Sequence, residues 1–228
     1  MNQVNRIYML LPAVFLVAIF MSLSGCTTPD PIRYQQLSSS SYLQGNRDDS
    51  DRHVAFDYTQ AQPQAIDWQQ YHQLILEPVS IYRAPDNQFV DLEESDKVAL
   101  AHYMQQQFGD RLRSRFQLVD HEGPATLRLK LTLTGAEKTT PVISTVSRFD
   151  IGGGIYNGVA AMRGREGLFT GSVIYAVEIY DASSNQLLNA AVIKQYPSPM
   201  QLSATIGALD ASKAGIDRGA EALLAYLR

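Results

Sequence analysis

Cysteine is all but missing from this chain: Cys26 is alone among 228 residues. One thiol excludes an intramolecular disulfide framework and a cysteine-built zinc cage. Charge is sparse too, at 18% of residues, and leans acidic, with 19 Lys and Arg against 23 Asp and Glu. A net charge of -4 suits electrostatic capture of nucleic acid poorly, so no nucleic-acid partner is expected. The four histidines, His53, His72, His102 and His121, are scattered, with no H-x₃-H or H-E-x-x-H pair to hold a metal. A G-x-S-x-G elbow is lacking as well. No metal ligand, cofactor site or catalytic residue is therefore assigned. What the chain does have is 45% hydrophobic and 9% aromatic residues, enough for a packed core rather than a disordered tail.

The apolar segment at the start is short. Arg6 precedes a run from Ile7 to Met21, and no acid occurs before Asp30, the pattern of an export signal. The run is about 15 residues, or roughly 22 Å as a helix, against a hydrocarbon core of ~30 Å. Pro12 near its start weakens a spanning helix further. The run ends in Leu23-Ser24-Gly25-Cys26, which resembles the bacterial lipobox. That resemblance implies cleavage between Gly25 and Cys26, with a diacylglycerol thioether and an N-acyl chain on Cys26. Two or more acyl chains hold a protein stably at a bilayer, whereas one binds marginally. Thr27, where an Asp would retain a sorted lipoprotein, implies the outer membrane, with the domain facing the periplasm.

Residues 1–25 thus read as a signal peptide, 26–54 as the lipidated N-terminus and linker, and 55–228 as one globular domain. Pro29, Pro31, the serine run and Asp48, Asp49 and Asp51 are linker chemistry. A tether of roughly 28 flexible residues would reach about 30 Å. Tyr34, Leu37, Tyr42 and Leu43 are apolar enough that part of it is expected to dock.

Leu74 to Tyr82 reads as a strand, in which Pro78 argues for a bulge or an edge position. Asp91 to Phe116 reads as a helix with Ser95 as its cap, acids at its start and Arg111, Arg113 and Arg115 at its end. Its stripe of Leu100, Met104, Phe108 and Leu112 recurs every fourth residue. A short strand, Phe116 to Val119, follows. From Ala125 to Thr134, Leu127, Leu129, Leu131 and Leu133 alternate with polar residues, predicting one core face and one wet face. Gly171 to Asp181 and Leu187 to Tyr196 form a further strand pair, and a helix from Asp210 to Leu227 closes the chain with Ile216, Ala220, Leu223, Leu224 and Leu227 inward. The order β-α-β-β-β-β-α predicts a single α+β domain, a mixed sheet with both helices on one face.

Several stretches taken in order carry a family resemblance. They are Ser41-Tyr42-Leu43, Trp68-Gln69-Gln70-Tyr71, Leu76-Glu77-Pro78-Val79-Ser80-Ile81-Tyr82, Phe116-Gln117-Leu118-Val119, Gly123-Pro124-Ala125-Thr126-Leu127-Arg128-Leu129 and Pro141-Val142-Ile143-Ser144-Thr145-Val146-Ser147. The series resembles the bacterial lipoprotein family of domain of unknown function 3313, from about residue 34 to 228. The resemblance implies an exported lipoprotein and brings no established reaction or ligand.

Between Thr139 and Gly171 lies a connection longer than the usual 12–15 residues or so. Gly152, Gly153 and Gly154 permit positive φ and close approach, and Gly154 and Gly158 make a small-xxx-small pair. The segment reads either as a contact loop for a partner or membrane surface, or as a solvated loop without a task. Trp68, Tyr71 and Tyr82 read as the lining of a sugar or peptide groove, or as ordinary packing. The inventory favours a non-enzymatic interaction or accessory module of the cell envelope, with an envelope protein as partner. The alternatives are a periplasmic hydrolase or peptidoglycan-modifying enzyme, and a carrier of a small apolar ligand. Oligomeric state is not legible.

Overall fold

The computed structural model describes residues 30–46, 54–58, 66–138, 171–197 and 207–228. Gly25, Cys26 and the expected contact loop with Gly152, Gly153, Gly154 and Gly158 lie outside the described residues. In chain order the elements are β1 (Leu43–Gly45), β2 (Val54–Tyr58), β3 (Gln73–Leu76), β4 (Ser80–Ile81), β5 (Gln88–Val90), α1 (Glu94–Leu112), β6 (Gln117–Leu118), β7 (Thr126–Glu137), β8 (Val173–Asp181), β9 (Leu187–Gln195) and α2 (Asp210–Tyr226). From α1 onward the order is as expected: helix, four strands, helix. Ahead of α1 the expected single strand is broken into β3 and β4, β5 is a further strand after it, and β1 and β2 precede it.

Strand β7 is the spine of this mixed α+β sheet. On one side it pairs antiparallel with β8, then β9, β2 and β1 follow. On its other side β3, β4 and β5 pair with it in succession, all parallel, and β6 lies beside β3. The break between β3 and β4 falls at Pro78, which has no N–H to give a ladder. Its neighbour Val79 donates instead to Gln105 Oε1 on α1 at 2.7 Å. The helix thereby closes a gap that the proline opens. At the far end of β7, Gly135 is required by the close approach of β5, because a Cβ there would meet the Gln88 carbonyl oxygen at 2.7 Å.

Helix α1 begins one residue after Glu93, not at a cap formed by Ser95. Glu93 and Asp96 form a reciprocal capping box, with the Glu93 N–H donating to Asp96 Oδ2 at 3.2 Å. A carboxylate satisfies an orphan amide as well as a hydroxyl does and also meets the positive end of the helix dipole. Leu100, Met104, Phe108 and Leu112 are all fully buried, as their spacing predicts. Each C-terminal arginine is engaged within the domain. Arg111 pairs with Glu221 at 3.0 Å, Arg113 with Asp110 at 2.5 Å, and Arg115 donates to the Trp68 and Tyr71 carbonyls at 3.0 Å.

Both helices lie on one face of the sheet and share its larger core with the leucines of β7. Tyr103 on α1 donates to the Asp217 carboxylate on α2 at 2.9 Å. Burial, then the neighbouring carboxylate, push its phenol up to about 12. In α2, Ile216, Ala220, Leu223 and Leu227 are buried as expected, whereas Leu224 is only half-buried. Gly215 and Gly219 let this helix settle onto β8 and β9 without side chains between. A Cβ on Gly215 would meet Val173 and the Gln195 carbonyl, and one on Gly219 would collide with the Tyr175 hydroxyl.

The second face of β7 is not wet along its length, contrary to the alternation. Thr132 and Thr134 are buried, with only Arg128 and Lys130 reaching the rim. A smaller core covers this face: Tyr34, Leu37 and Leu43 from the N-terminal segment pack with Tyr82, Ile174, Ala176, Ala190 and Val192. The docked segment has its own apolar side chains to withdraw from water, and the outer face of the sheet is the surface that accepts them.

Gly219→Ala should therefore lower stability by about 2 kcal/mol through overpacking, read as a fall in the urea midpoint. Adding Tyr175→Phe, which removes the colliding hydroxyl, should recover part of that loss.

Candidate functional site

Residues 30–46 form a strap across the outer face of the sheet, and its hydrogen bonds explain its course. At its start Gln88 donates to the Asp30 carbonyl at 2.9 Å, and Tyr34 donates its hydroxyl to Gln88 Oε1 at 2.5 Å. The Gln35 and Gln36 amides donate to Asp86 Oδ2 and the Tyr82 hydroxyl, at 3.0 and 3.1 Å. Tyr34 and Tyr82 pack edge to face with centroids 5.1 Å apart. At the middle of the sheet the Ser39 amide donates to Glu178 Oε1 at 2.6 Å. The strap ends by adding β1 to the sheet, Leu43 opposite Tyr58.

Glu178 is a buried charge, 1% exposed among the apolar residues of β8, and Lys194 on β9 is buried as well. The second oxygen of Glu178 lies 3.3 Å from Lys130 Nζ on β7. Lys130 in turn donates to Ser38 Oγ on the strap at 2.9 Å. A carboxylate withdrawn from water needs such partners, since an uncompensated buried charge costs several kcal/mol. Strap and sheet are thus joined through a carboxylate, an ammonium and a hydroxyl.

Beside this junction lies a pocket of about 350 Å³ lined by Ser38, Tyr42, Tyr58, Tyr180, Asn185 and Gln186. Tyr42 and Tyr58 stand edge to face, with centroids 6.1 Å apart and planes at 68°. The Tyr58 hydroxyl donates to the Leu187 carbonyl at 3.2 Å. Tyr180 forms the floor. Burial, then the negative charge of Glu178, push its phenol up to about 12, so it stays a neutral donor at ordinary pH. Arg128 lies over the Tyr180 ring, 5.1 Å from its centroid, and donates to Asn185 Oδ1. The same guanidinium faces Glu77 Oε1 at 3.5 Å, so its charge is met within the protein.

The turn that presents Asn185 and Gln186 is built by Asp181. Its Oδ1 accepts from the Ser183 and Ser184 amides at 3.1 and 2.8 Å and from both hydroxyls, while Oδ2 accepts from Tyr71 at 3.1 Å. Partial burial opposes ionisation, yet these hydrogen bonds outweigh it and hold the carboxyl down to about 2. Asn185 sits at φ 58°, the left-handed region that asparagine tolerates better than other side chains. The turn is fixed before any ligand arrives.

The residues singled out from sequence do not assemble here. Trp68 packs against Tyr71 and Tyr226, and Tyr71 and Tyr82 are buried, so these aromatics serve packing. His72, His102 and His121 are exposed, and His121 pairs with Asp120 at 3.0 Å. Among the described residues no three of His, Cys, Asp and Glu cluster as a metal site. Of the acids at the start of α1, Glu93 caps the helix and Glu94 pairs with Arg83. A second pocket of about 320 Å³ lies between α1 and the sheet edge, lined by Gln105, Gln106, Asp110 and Arg113 over Leu76 and Leu118. The tyrosine pocket was missed because its walls come from residues 38–42, 58 and 180–187. A signal was present in the lone acid of Val173-Ile174-Tyr175-Ala176-Val177-Glu178-Ile179, since a carboxylate in so apolar a run demands a partner.

Two outcomes follow for stability. Lys130→Met should cost about 2–3 kcal/mol in urea denaturation by leaving Glu178 uncompensated, and a further Glu178→Gln should restore part of it. Asp181 has a folded carboxyl below its unfolded value of about 3.9, so its contribution is present above that pH and lost as pH falls toward 2. Because the group is partly solvated, the contribution is of order 1 kcal/mol. Asp181→Asn should therefore flatten the loss of thermal stability between about pH 4 and pH 2.

Comparison with solved structures returns distant likenesses. A PelC dodecamer variant from Paraburkholderia phytofirmans aligns at a TM-score of 0.33 and 9% identity, over 69% of this chain and 84% of that one. The hypothetical protein CT253 from Chlamydia trachomatis aligns at a TM-score of 0.36 and 8% identity, over 69% of this chain and 98% of its own. Neither carries an argument. No curated protein matches the chain. The family comparison covers residues 33–223, which takes in most of the strap, the sheet, all of α1 and most of α2, and on that match the chain belongs to the family described as protein of unknown function (DUF3313).

Proposed function

We propose that the protein is a lipoprotein of the bacterial outer membrane, anchored through acyl chains on Cys26, whose periplasmic domain is a non-enzymatic binding module. The observation that carries this reading is the position of the docked strap relative to the lone thiol. Asp30, held by Gln88, follows Cys26 by four residues. Four extended residues span at most about 14 Å. A lipid on Cys26 would hold the strap side of the domain close to the bilayer, far closer than a linker of 28 free residues, with a reach of about 30 Å, would. Restricting the domain to that layer raises its effective concentration toward anything else confined there. A weak contact then suffices, which fits a shallow pocket with hydrogen-bonding walls.

The reading is tested in the native host. Cys26→Ala should move the protein from the outer-membrane fraction to the soluble or inner-membrane fraction. Intact mass of the wild type should show a chain beginning at Cys26 with added acyl mass. A wild-type protein with an unmodified sulfur, or an outer-membrane fraction unchanged by the substitution, would refute the anchor.

A further inference from the structure

The geometry points to a ligand class for the tyrosine pocket: we propose that it binds the end of a neutral glycan. The inference rests on the reading of the domain as a binding module and extends it to a chemistry. Three features of the pocket select that chemistry.

The first is charge. Its lining holds tyrosine, serine, asparagine, glutamine and leucine, without Asp, Glu, Lys or Arg. The nearby cations are already met, Arg128 by Glu77 and Asn185, and Lys130 by Glu178. A phosphate, carboxylate or ammonium on the ligand would lose water without gaining an opposite charge. A neutral ligand avoids that cost.

The second is shape. A planar base is held by stacking on aromatic faces, most firmly between two parallel ones. Tyr42 and Tyr58 stand at 68° to each other and offer no parallel slot. Two tilted aromatic faces fit instead a puckered ring whose C–H bonds point in several directions. Tyr42 is 47% exposed, so one of these faces meets an arriving ligand directly.

The third is hydrogen bonding. Tyrosine and serine hydroxyls donate and accept, and the asparagine and glutamine amides do both at separate atoms. Asn185 Oδ1 already accepts from Arg128, Ser38 Oγ from Lys130, and the Tyr58 hydroxyl donates to Leu187, so a ligand meets the capacity that remains. A sugar presents a dense set of hydroxyls with the same dual capacity. An extended peptide would seek main-chain partners along a strand edge, whereas this lining is made of side chains. The Asp181-anchored turn and the strap junction hold several of these groups in place, which lowers the ordering cost of binding. At about 350 Å³ the pocket lies at the lower end of ligand sites, suited to a chain end rather than a long segment.

The test uses the full protein purified from its host membrane in detergent, with maltohexaose and chitohexaose as neutral probes. A peptide of Gly, Ser and Asn serves as the polypeptide probe. Saturation-transfer NMR should show contact with the ring protons of at least one sugar at millimolar concentration. Tyr42→Ala and Asn185→Gly should each weaken that sugar about tenfold while leaving the melting transition cooperative. Arg113→Ala in the second pocket should leave sugar binding unchanged. No transfer to either sugar would overturn the proposal, as would transfer that survives both Tyr42→Ala and Asn185→Gly. Binding of the peptide alone would overturn it in favour of a polypeptide ligand. The Cys26→Ala protein should bind sugar like wild type in detergent, so loss of the anchor and loss of the glycan site are read separately.

Discussion

A single carboxylate, withdrawn from water in the middle of β8, decides what the outer face of the sheet becomes. Glu178 cannot remain buried without donors, and the Ser39 amide and the Lys130 ammonium are among those it finds. Satisfying it means bringing the N-terminal segment across the sheet. Once there, that segment lays Tyr34, Leu37 and Leu43 over Ile174, Ala176 and Val192, so a polar requirement and an apolar gain point the same way. A sheet with helices on one side and open water on the other becomes a sheet covered on both. The tyrosine pocket lies where the cover ends.

The helix side follows a different logic. Glycine rather than charge sets the distances there, with Gly215 and Gly219 letting α2 rest on the strands. Tyr103, Asp217, Arg111 and Glu221 then tie α2 to α1 at the surface. The two faces of the sheet carry separate apolar clusters, the larger under the helices and the smaller under the strap.

Much of this architecture was legible in sequence where periodicity is long and local. The four-residue stripe of α1 and the alternating leucines of β7 located the larger core, because a helix or strand with one buried face repeats its pattern regardless of what it packs on. Pro78 marked an irregularity in its strand, although neither the full break there nor its repair by Gln105 was legible. The strap was only partly visible: the apolar character of Tyr34, Leu37 and Leu43 suggested docking, but nothing local named their partners. The same gap misled the reading of β7, where Thr132 and Thr134 look solvent-facing until the strap is placed over them. Of the candidate site, only the lone acid Glu178 in an apolar run was a signal. The site's tyrosines are ordinary residues in three unrelated segments, and only tertiary pairing brings them together. The conspicuous aromatics Trp68, Tyr71 and Tyr82 went to packing, the common fate of large apolar rings.

The pocket wall supplied by the strap has a consequence for how the molecule acquires its shape. Ser39 and Glu178 are 139 positions apart in the chain, and closing so long a loop loses entropy before any contact repays it. The helices and the β8–β9 hairpin can form from neighbours, whereas the strap has a surface to land on only after β7, β8 and β9 have paired. The recess beside it thus depends on contacts between distant parts of the chain, and it is the part of the domain that exists only when the whole of it does.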